Sequence, residues 1–242
     1  MQVRGYQIGV QSWCFRTYKT TGDVIAAVKA CGLDALELCG IHVEVENPVA
    51  VDNTLRLYRD AGISLTSFGV NGFGADAERN RLVFELAKKA GITAISADID
   101  GNVLGMLEDL CNEFDIKLAI HNHGRKHHLG SLDALHRFFS KTSHQIGLCL
   151  DTAWMLDAGE NPVAVAEMFA DRLYGLHVKD FIFGRDGAAE DVVVGTGNLN
   201  LPALFDTLRK IDFHGYVTLE YEGNVDNPVP SVQQCVNELK KL

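Results

Sequence analysis

Four polar side chains of the kinds that bind metal ions stand at the ends of four strand-like segments in the second half of the chain. The segments read KLAIHNH, IGLCLD, YGLHVK and GYVTLE, and the candidate ligands at their ends are His121 or His123, Asp151, His177 and Glu220. In each segment large apolar residues alternate with the polar position, which puts the polar side chain on the face away from the apolar layer. If these strands are parallel neighbours, two imidazoles and two carboxylates converge at one end of a sheet, where they can bind a divalent metal ion.

Each of these four residues could instead have a separate structural role. A single Asp or His at a strand end commonly serves as a cap, a turn residue or a hydrogen-bonded core group. Four such residues in consecutive strands and in one phase favour a metal site over four separate structural roles.

Other charged residues share this inward face. The carboxylates of Glu37, Asp98 and Glu222 are candidates for binding substrate hydroxyl groups or for supporting the ligands. Lys179, in phase with His177, can hold a substrate oxygen or phosphate, or can pair with a neighbouring carboxylate.

The elements that carry these residues alternate between strand and helix patterns eight times. Period-two patterns predict strands at 6–13, 35–39, 64–70, 94–99, 117–123, 146–151, 174–180 and 216–222. Helical patterns, with Gly and Pro at their ends, occupy 22–31, 48–61, 76–90, 102–114, 131–142, 161–171, 201–211 and 231–241. Eight such units in 242 residues, with no linker, predict a single α/β domain, a (β/α)8 TIM barrel over 1–242, in preference to an open doubly wound sheet. Such barrels bind substrates at the carboxyl ends of their strands, where the polar residues fall.

Two connections are long enough to reach over that rim. The segment GRKHHLG at 124–130 is basic and rich in histidine, and the segment at 181–199 is longer than a usual connection between a strand and a helix. We expect the 181–199 segment to be a mobile lid or substrate loop that closes over a bound polyol. Its VGTGN ending could bring backbone amides near a ligand, although a simple turn before the next helix is the expected structure.

Composition limits the kinds of partner. The net charge is −10, with 22 Lys and Arg against 32 Asp and Glu, and the absence of a long basic cluster argues against a nucleic-acid partner. No segment approaches the roughly 18 to 20 apolar residues of a membrane span, and the N-terminus lacks a signal-peptide core. The six cysteines are scattered without a CxxC pair, which predicts buried free thiols in a reducing compartment. We therefore expect a cytoplasmic protein that acts on a small molecule.

Five longer segments carry a recognisable family pattern. They are LAIHNHG (118–124), GLCLDTAW (147–154), YGLHVKD (174–180), VVGTGNLNLPAL (193–204) and GYVTLEYEG (215–223). Over essentially the whole chain they resemble the sugar-phosphate isomerase/epimerase superfamily, the xylose-isomerase-like TIM barrels. This superfamily also contains inosose isomerases and dehydratases, ketose 3-epimerases and a branch of DNA-repair endonucleases.

The resemblance implies a ligand set. Members hold one divalent ion between a Glu, an Asp, a His and a Glu on strands five to eight, which implies Asp151, His177 and Glu220 as ligands in this chain. His121 stands where relatives have the first Glu, so it is the expected fourth ligand, and His123 is left as the catalytic base. Because imidazole replaces a carboxylate, we expect Mn, Zn, Co, Fe or Ni in preference to Mg.

A second departure from the family pattern concerns DNA repair. Many relatives have DTGH after the sixth strand, where this chain has DTAW. In the endonuclease branch that His belongs to a multi-zinc cluster, so its replacement by Trp154 argues against a nuclease. Trp154 would instead offer a flat apolar wall to a sugar ring, or pack within its loop.

The resemblance implies a metal-dependent isomerase or epimerase for a ketose, inosose or keto-sugar. In such a reaction the ion polarises a carbonyl group and stabilises the enediolate that forms when the α-proton is lost. Glu220 and His123 are the expected proton-transfer groups, and Lys179 is expected to hold a substrate oxygen. If a β-substituent leaves after the proton, the same site is a dehydratase or lyase, and a third alternative is a non-catalytic sugar-binding barrel. The substrate and the oligomeric state stay open, although many relatives are dimers or tetramers.

Overall fold

The computed structural model describes residues 1–99 and 102–242. Its strands are β1 (Gln2–Val3), β2 (Tyr6–Gln11), β3 (Ala35–Leu38), β4 (Ser64–Phe68), β5 (Asn71–Phe73), β6 (Ala94–Ile99), β7 (Lys117–His121), β8 (Ile146–Asp151), β9 (Leu173–Val178), β10 (Asp180–Phe183), β11 (Ala189–Val192) and β12 (Tyr216–Leu219). Its α-helices are α1 (Thr21–Ala30), α2 (Pro48–Asp60), α3 (Ala77–Ala90), α4 (Leu104–Phe114), α5 (Leu132–Phe139), α6 (Thr152–Asp157), α7 (Pro162–Met168), α8 (Leu201–Lys210) and α9 (Val229–Leu239).

The parallel strands form one nearly closed barrel. Their order is β4, β3, β2, β12, β9, β8, β7, β6 and β5, and β1 adds an antiparallel pair to β2. The first and last strands of this order are two pieces of a single barrel strand, separated only by residues 69–70, so the chain itself joins the two ends of the sheet. The predicted (β/α)8 barrel is therefore confirmed, and the carboxyl ends of its strands meet at one rim.

The break in the third barrel strand is linked to a close approach between backbones. A β-carbon added at Gly69 would lie 2.1 Å from Ser96 Oγ, so only glycine allows the chain to pass β6 at this distance. The same Ser96 hydroxyl donates a hydrogen bond to Glu37 on β3. The tight crossing of the third strand and β6 therefore helps to fix a carboxylate inside the barrel.

The helices begin where the sequence signals place them and cover the outside of the barrel. Side chains accept hydrogen bonds from first-turn amides at six helix starts: Thr20, Asn47, Asp76, Ser131, Asn161 and Asn200. Their buried faces join the apolar strand residues in one continuous core. None of the described helices is long and apolar enough to cross a membrane. Each of the six cysteines is buried and unpaired, as predicted.

Several predicted boundaries were wrong. The first strand ends at Gln11, because Ser12–Phe15 forms a 3₁₀ turn, and the last barrel strand ends at Leu219 instead of 222. Four elements were missed: the short strand β1, the short helix α6 directly after β8, and the strands β10 and β11 within 180–192. Helix α6 is capped by Asp151, whose side chain accepts from the Trp154 amide. The strand end that carries a candidate ligand thus also starts a helix.

Candidate metal centre and substrate cavity

Four side chains predicted as metal ligands lie together at the carboxyl rim of the barrel. His121 and Asp151 are the last residues of β7 and β8, His177 lies in β9, and Glu220 follows β12 directly. One ligand atom from each lies within 4.8 Å of the others, and all four residues are buried. Since β7, β8, β9 and β12 are parallel neighbours in register, the alternation of polar and apolar residues brings these side chains to a common point.

The contacts within this cluster fit a metal ion better than a set of hydrogen bonds. Among the described residues, neither ring nitrogen of His121 has a hydrogen-bond partner, and Asp151 Oδ2 has none either. His121 Nε2 lies 3.4 Å from Asp151 Oδ2. Two bonds of about 2.05 Å in a tetrahedral site would separate their donor atoms by about 3.3 Å. Buried polar atoms without partners are rare and costly, so this arrangement indicates an ion-binding site.

A carboxylate behind His177 orients its ring. His177 Nδ1 lies 3.1 Å from Glu220 Oε2, and Nε2 lies 2.9 Å from Glu37 Oε2. If Nε2–H donates to Glu37, the lone pair of Nδ1 points into the cluster, which is the usual arrangement of a metal-binding imidazole and its carboxylate partner. Glu37 is fully buried and its other oxygen accepts from Ser96. The sequence left two roles open for Glu37, binding of substrate hydroxyl groups or support of a ligand. These contacts fit the support of a ligand.

Two polar side chains that sequence reasoning missed hold the strand ends together. The Asn122 side chain accepts from the Asp151 amide at 2.8 Å and donates to the Asp151 carbonyl at 3.0 Å. The Thr152 hydroxyl donates to the Lys179 carbonyl at 2.6 Å and accepts from the Lys179 amide at 3.0 Å. These bonds link β7 to β8 and β8 to β9 next to three of the candidate ligands. They fix the separation of the ligands before any ion binds.

Lys179 lies in a buried acidic surrounding beside the cluster. Its ammonium group pairs with Glu222 and lies 3.8 Å from Asp191 Oδ2. It also lies 5.3 Å from the centre of the Trp154 ring, within the range of a cation–π contact. Lys179 is only 1% exposed and does not line the cavity itself, whereas its neighbours Glu222 and Trp154 do.

Burial and charge shift the pKa values of these groups. Burial alone would lower the pKa of Lys179, but the surrounding carboxylates, with Glu220 the strongest, raise it above its ordinary value. Burial would likewise raise the pKa of Glu220, and Lys179 and His177 lower it instead. Burial raises the pKa of Asp191 to about 7, against the opposing effect of Lys179. The ammonium group thus keeps this acidic rim partly neutralised.

A cavity opens directly above the four candidate ligands. It has a volume of about 510 Å³, and its lining includes His121, His123, Trp154, Glu220 and Glu222. A larger cavity of about 740 Å³ shares His123 and Trp154 with it and extends over the 124–130 segment. The two adjoining cavities suit a polar molecule of sugar size that lies across the rim.

His123 lines both cavities, and Asp98 lies near it, next to His127. The His123 ring centre is 4.7 Å from that of His121 and 4.5 Å from that of His127. Burial, with the neighbouring His121 and His127, lowers the pKa of His123 to about 4, so the ring is neutral near pH 7. Asp98 is half-buried, and its Oδ2 lies 3.5 Å from His127 Nε2.

The segment at 181–199 lies at the rim but has regular structure. Residues 180–192 form an antiparallel hairpin of β10 and β11 instead of an irregular loop. Residues 186–189 at its tip line the larger cavity, and Arg125 donates to the Gly187 carbonyl at 2.9 Å and pairs with Asp157. The hairpin also brings Asp191, which was not predicted, to Lys179. The predicted position over the rim agrees with the structure, whereas mobility and closure stay predictions.

The VGTGN segment forms a turn around a buried carboxylate. The amides of Gly195 and Gly197 donate to Asp180 Oδ2 at 3.0 and 2.9 Å, and the Leu199 amide donates to Oδ1 at 2.9 Å. These amides are therefore occupied within the chain, in agreement with the expected simple turn before α8.

The family comparison agrees with this geometry. A family model described as a xylose isomerase-like TIM barrel matches residues 25–242. The chain belongs to this family. The resemblance inferred from the five sequence segments is therefore confirmed, and it extends over both halves of the barrel.

Three curated relatives are similar to this chain at low identity. The rhizopine catabolism protein MocC of Rhizobium meliloti is 23% identical over 73% of this chain and 57% of its own length. The 3-oxo-isoapionate decarboxylase of Pectobacterium atrosepticum is 26% identical over 74% of this chain and 69% of its own length. The inosose dehydratase of Clostridium beijerinckii is 26% identical over 57% of this chain and 52% of its own length. The chain thus spans only about half to two thirds of these relatives.

Solved structures share the fold over nearly the whole chain. A sugar phosphate isomerase/epimerase from Parabacteroides distasonis has a TM-score of 0.77 at 15% identity, over 98% of this chain and 96% of that one. The IolI protein, solved with a bound zinc atom, has a TM-score of 0.74 at 13% identity, over 97% of this chain and 96% of that one. At these identities the likeness establishes the fold.

Proposed function

We propose that the protein is a divalent-metal-dependent enzyme that moves a proton at a carbon next to a carbonyl group, as an isomerase or epimerase of a ketose, inosose or keto-sugar. The observation that carries this proposal is the buried cluster of His121, Asp151, His177 and Glu220. His121 and Asp151 carry its unpartnered atoms, and His121 and Glu220 line a cavity of sugar size. A non-catalytic sugar-binding barrel would have no need for a buried His121 ring and a buried Asp151 oxygen without hydrogen-bond partners among the described residues.

The four residues would hold one divalent ion, with Glu37 fixing the His177 ring from behind. When bound, the ion would supply Lewis-acid polarisation of a carbonyl oxygen of the substrate. The IolI protein of the same fold contains zinc, and the two imidazoles of this chain suit zinc or another transition metal better than magnesium.

Two candidate proton-transfer groups line the cavity. His123 is neutral near pH 7 and lines both cavities, so it can accept a proton from a substrate carbon placed above the cluster. Its lowered pKa makes it a weak base, and therefore the acidity of the substrate α-proton must be increased by polarisation of the carbonyl. Glu220 lines the same cavity and is the second candidate for this transfer.

The rest of the site would bind and enclose the substrate. Trp154 offers an aromatic face to a sugar ring, and Glu222 offers carboxylate oxygens to hydroxyl groups. Lys179 would hold Glu222 in place and balance the negative charge of the rim. A direct bond from Lys179 to a substrate oxygen would require Glu222 or Trp154 to move aside.

A dehydratase is the second candidate, favoured by the inosose dehydratase among the relatives. Loss of water from a keto-sugar begins with the same α-proton removal and adds protonation of a leaving hydroxyl group. Isomerisation and water loss therefore share one half of the mechanism, and only the product distinguishes them.

Solvent exchange tests the proposal. The metal-loaded protein would be incubated in ²H₂O with inososes, ketohexoses and 3-keto-glycosides, and the deuterium content and mass of the sugars followed by NMR and mass spectrometry. We expect deuterium at the α-carbon of a true substrate with unchanged carbon skeleton, or loss of one water for a dehydratase. Asp151→Asn is the matched control and should give neither. If sugars that stabilise the folded protein against heat show neither exchange nor conversion, the proposed enzyme class is wrong.

A further inference from the structure

A second group of metal-binding side chains lies at the rim beside the first. Asp98, at the end of β6, and His127 and His128, in the 124–130 segment, each offer one ligand atom, and these atoms lie within 4.8 Å of one another. The segment follows β7, the parallel neighbour of β6, so it passes over the end of the strand that carries Asp98. The basic, histidine-rich sequence of this segment has no role in the proposed reaction.

The distance between Asp98 and His127 is the one expected for two ligands of a single metal ion. Asp98 Oδ2 lies 3.5 Å from His127 Nε2, beyond the usual hydrogen-bond length. This distance resembles the 3.4 Å between His121 and Asp151 in the first cluster. Asp98 Oδ1 accepts from the Ile99 amide at 2.9 Å, so the carboxylate is held with Oδ2 turned towards the histidines.

A second and a third imidazole lie close to this pair. The His128 ring centre is 4.1 Å from that of His127, and the His123 ring centre is 4.5 Å from it on the other side. His123 Nδ1 is buried and has no hydrogen-bond partner among the described residues. Its ligand atoms are not among those that lie within 4.8 Å of one another, so His123 is not counted as a ligand of this site.

We propose that Asp98, His127 and His128 bind a second divalent transition-metal ion at the rim of the barrel, beside the substrate cavity. Two imidazoles and one carboxylate are the ligands of many three-residue zinc sites, which leave a coordination position open to water or to a substrate oxygen. Nitrogen ligands select zinc, cobalt, nickel or copper over magnesium and calcium. This inference does not depend on the proposed function, because it concerns binding by residues outside the first cluster.

The second site should bind more weakly than the first. The side chains of Asp98 and His127 are 33% and 23% exposed, and His128 is exposed, whereas the residues of the first cluster are buried. Exposed ligands stay mobile and compete with water for the ion, so more freedom is lost on binding. The site also contains one carboxylate where the first cluster contains two.

A bound metal ion and an ordinary pair of Asp98 and His127 predict different behaviour for one backbone contact. The Leu129 amide lies 3.3 Å from His127 Nδ1 and donates to it in the metal-free structure. That contact requires the ring proton to be on Nε2, facing Asp98. An ion on Nε2 moves the proton to Nδ1, so the Leu129 amide must turn away. Metal binding at this site should therefore shift the Leu129 amide resonance, which a plain pair of Asp98 and His127 would leave unchanged.

The test counts bound ions at buffered free zinc concentrations, by equilibrium dialysis and elemental analysis. We expect two ions per wild-type chain, the second with at least tenfold weaker affinity. Asp151→Asn should keep only the weaker ion, and a His127→Gln/His128→Gln double variant should keep only the tighter one. His144→Gln, which removes an exposed histidine elsewhere, should keep both.

Each result either supports or overturns the second site. An Asp151→Asn chain that binds no ion overturns it. So does a weaker ion that the double variant retains, or one that the His144 variant loses equally, because the ion would then bind elsewhere on the surface. In the Asp151→Asn chain the Leu129 amide should shift on addition of zinc, and an unmoved amide would also contradict the proposal. Since that chain lacks a ligand of the first cluster, failure of the first cluster leaves this test intact.

Discussion

Replacement of Glu37 by Gln tests whether the carboxylate behind His177 prepares the ring for metal binding. Glu37 is fully buried and has two contacts: one oxygen accepts from Ser96, and the other lies 2.9 Å from His177 Nε2. Gln has the same shape and lacks the charge, so the cavity around the side chain is preserved. The substitution therefore changes the hydrogen bonding of His177 and leaves its packing intact.

Both orientations of the new amide weaken the site. If the amide nitrogen faces His177, it donates to Nε2, and the ring must carry its proton on Nδ1, the nitrogen next to Glu220. If the amide oxygen faces His177, the correct tautomer is kept, but the negative charge that makes the ring a stronger ligand is lost. Loss of such a supporting partner typically weakens metal affinity by about 10- to 100-fold, or about 1.4 to 2.7 kcal/mol.

Competition with a fluorescent zinc chelator measures this change directly. We expect the dissociation constant of the tight ion to rise by at least tenfold in Glu37→Gln, with a far-UV circular dichroism spectrum like that of the wild type. Ser96→Ala is the matched control, since it removes the other partner of Glu37 and keeps the contact with His177; it should weaken binding less than Glu37→Gln. An affinity of Glu37→Gln within twofold of the wild type would refute the orienting role of the carboxylate.

Three further substitutions test the rim. Lys179→Met leaves Glu222 and Asp191 without their buried cation, so the free energy of unfolding in urea should fall by about 3 to 5 kcal/mol; unchanged stability would contradict the ion-pair assignment. Trp154→Ala removes the aromatic wall of the cavity, and KM for a true substrate should rise while metal content stays constant; an unchanged KM would place the substrate elsewhere. Because the pKa of Asp191 is raised to about 7, the folded chain holds a proton that the unfolded chain has lost above about pH 4. The stability of the wild type should therefore fall relative to Asp191→Asn as the pH rises from about 4 to about 7, and parallel urea titrations would contradict this.

The gathering of the four cluster residues could be predicted from sequence because it depends on two local regularities. Alternation with period two places His121, Asp151, His177 and Glu220 on one face, and parallel neighbouring strands bring their ends together. Eight repeated strand and helix patterns then give the barrel. These regularities are present in short windows of sequence, so they do not require knowledge of distant contacts.

The missed features depend on contacts between distant segments. Residue 69 must be glycine because Ser96, on a strand 27 residues further along, leaves no room for a β-carbon. The role of Asp191 depends on the hairpin, which brings it to Lys179. The hairpin itself had a local signal, since Asp186 and Gly187 form the kind of dipeptide that favours a tight turn, but the flanking strands are too short and too polar to stand out. The helix after Asp151 likewise begins with a capping residue that was interpreted only as a ligand.

The most direct test of the central claim is anomalous diffraction from crystals of the zinc-loaded protein, collected on both sides of the zinc absorption edge. We predict a strong anomalous peak about 2.0 to 2.2 Å from one atom each of His121, Asp151, His177 and Glu220. A weaker second peak near Asp98 would leave this claim unaffected. A fully loaded crystal with no peak among the four residues would contradict the account of the site, and with it the proposed chemistry.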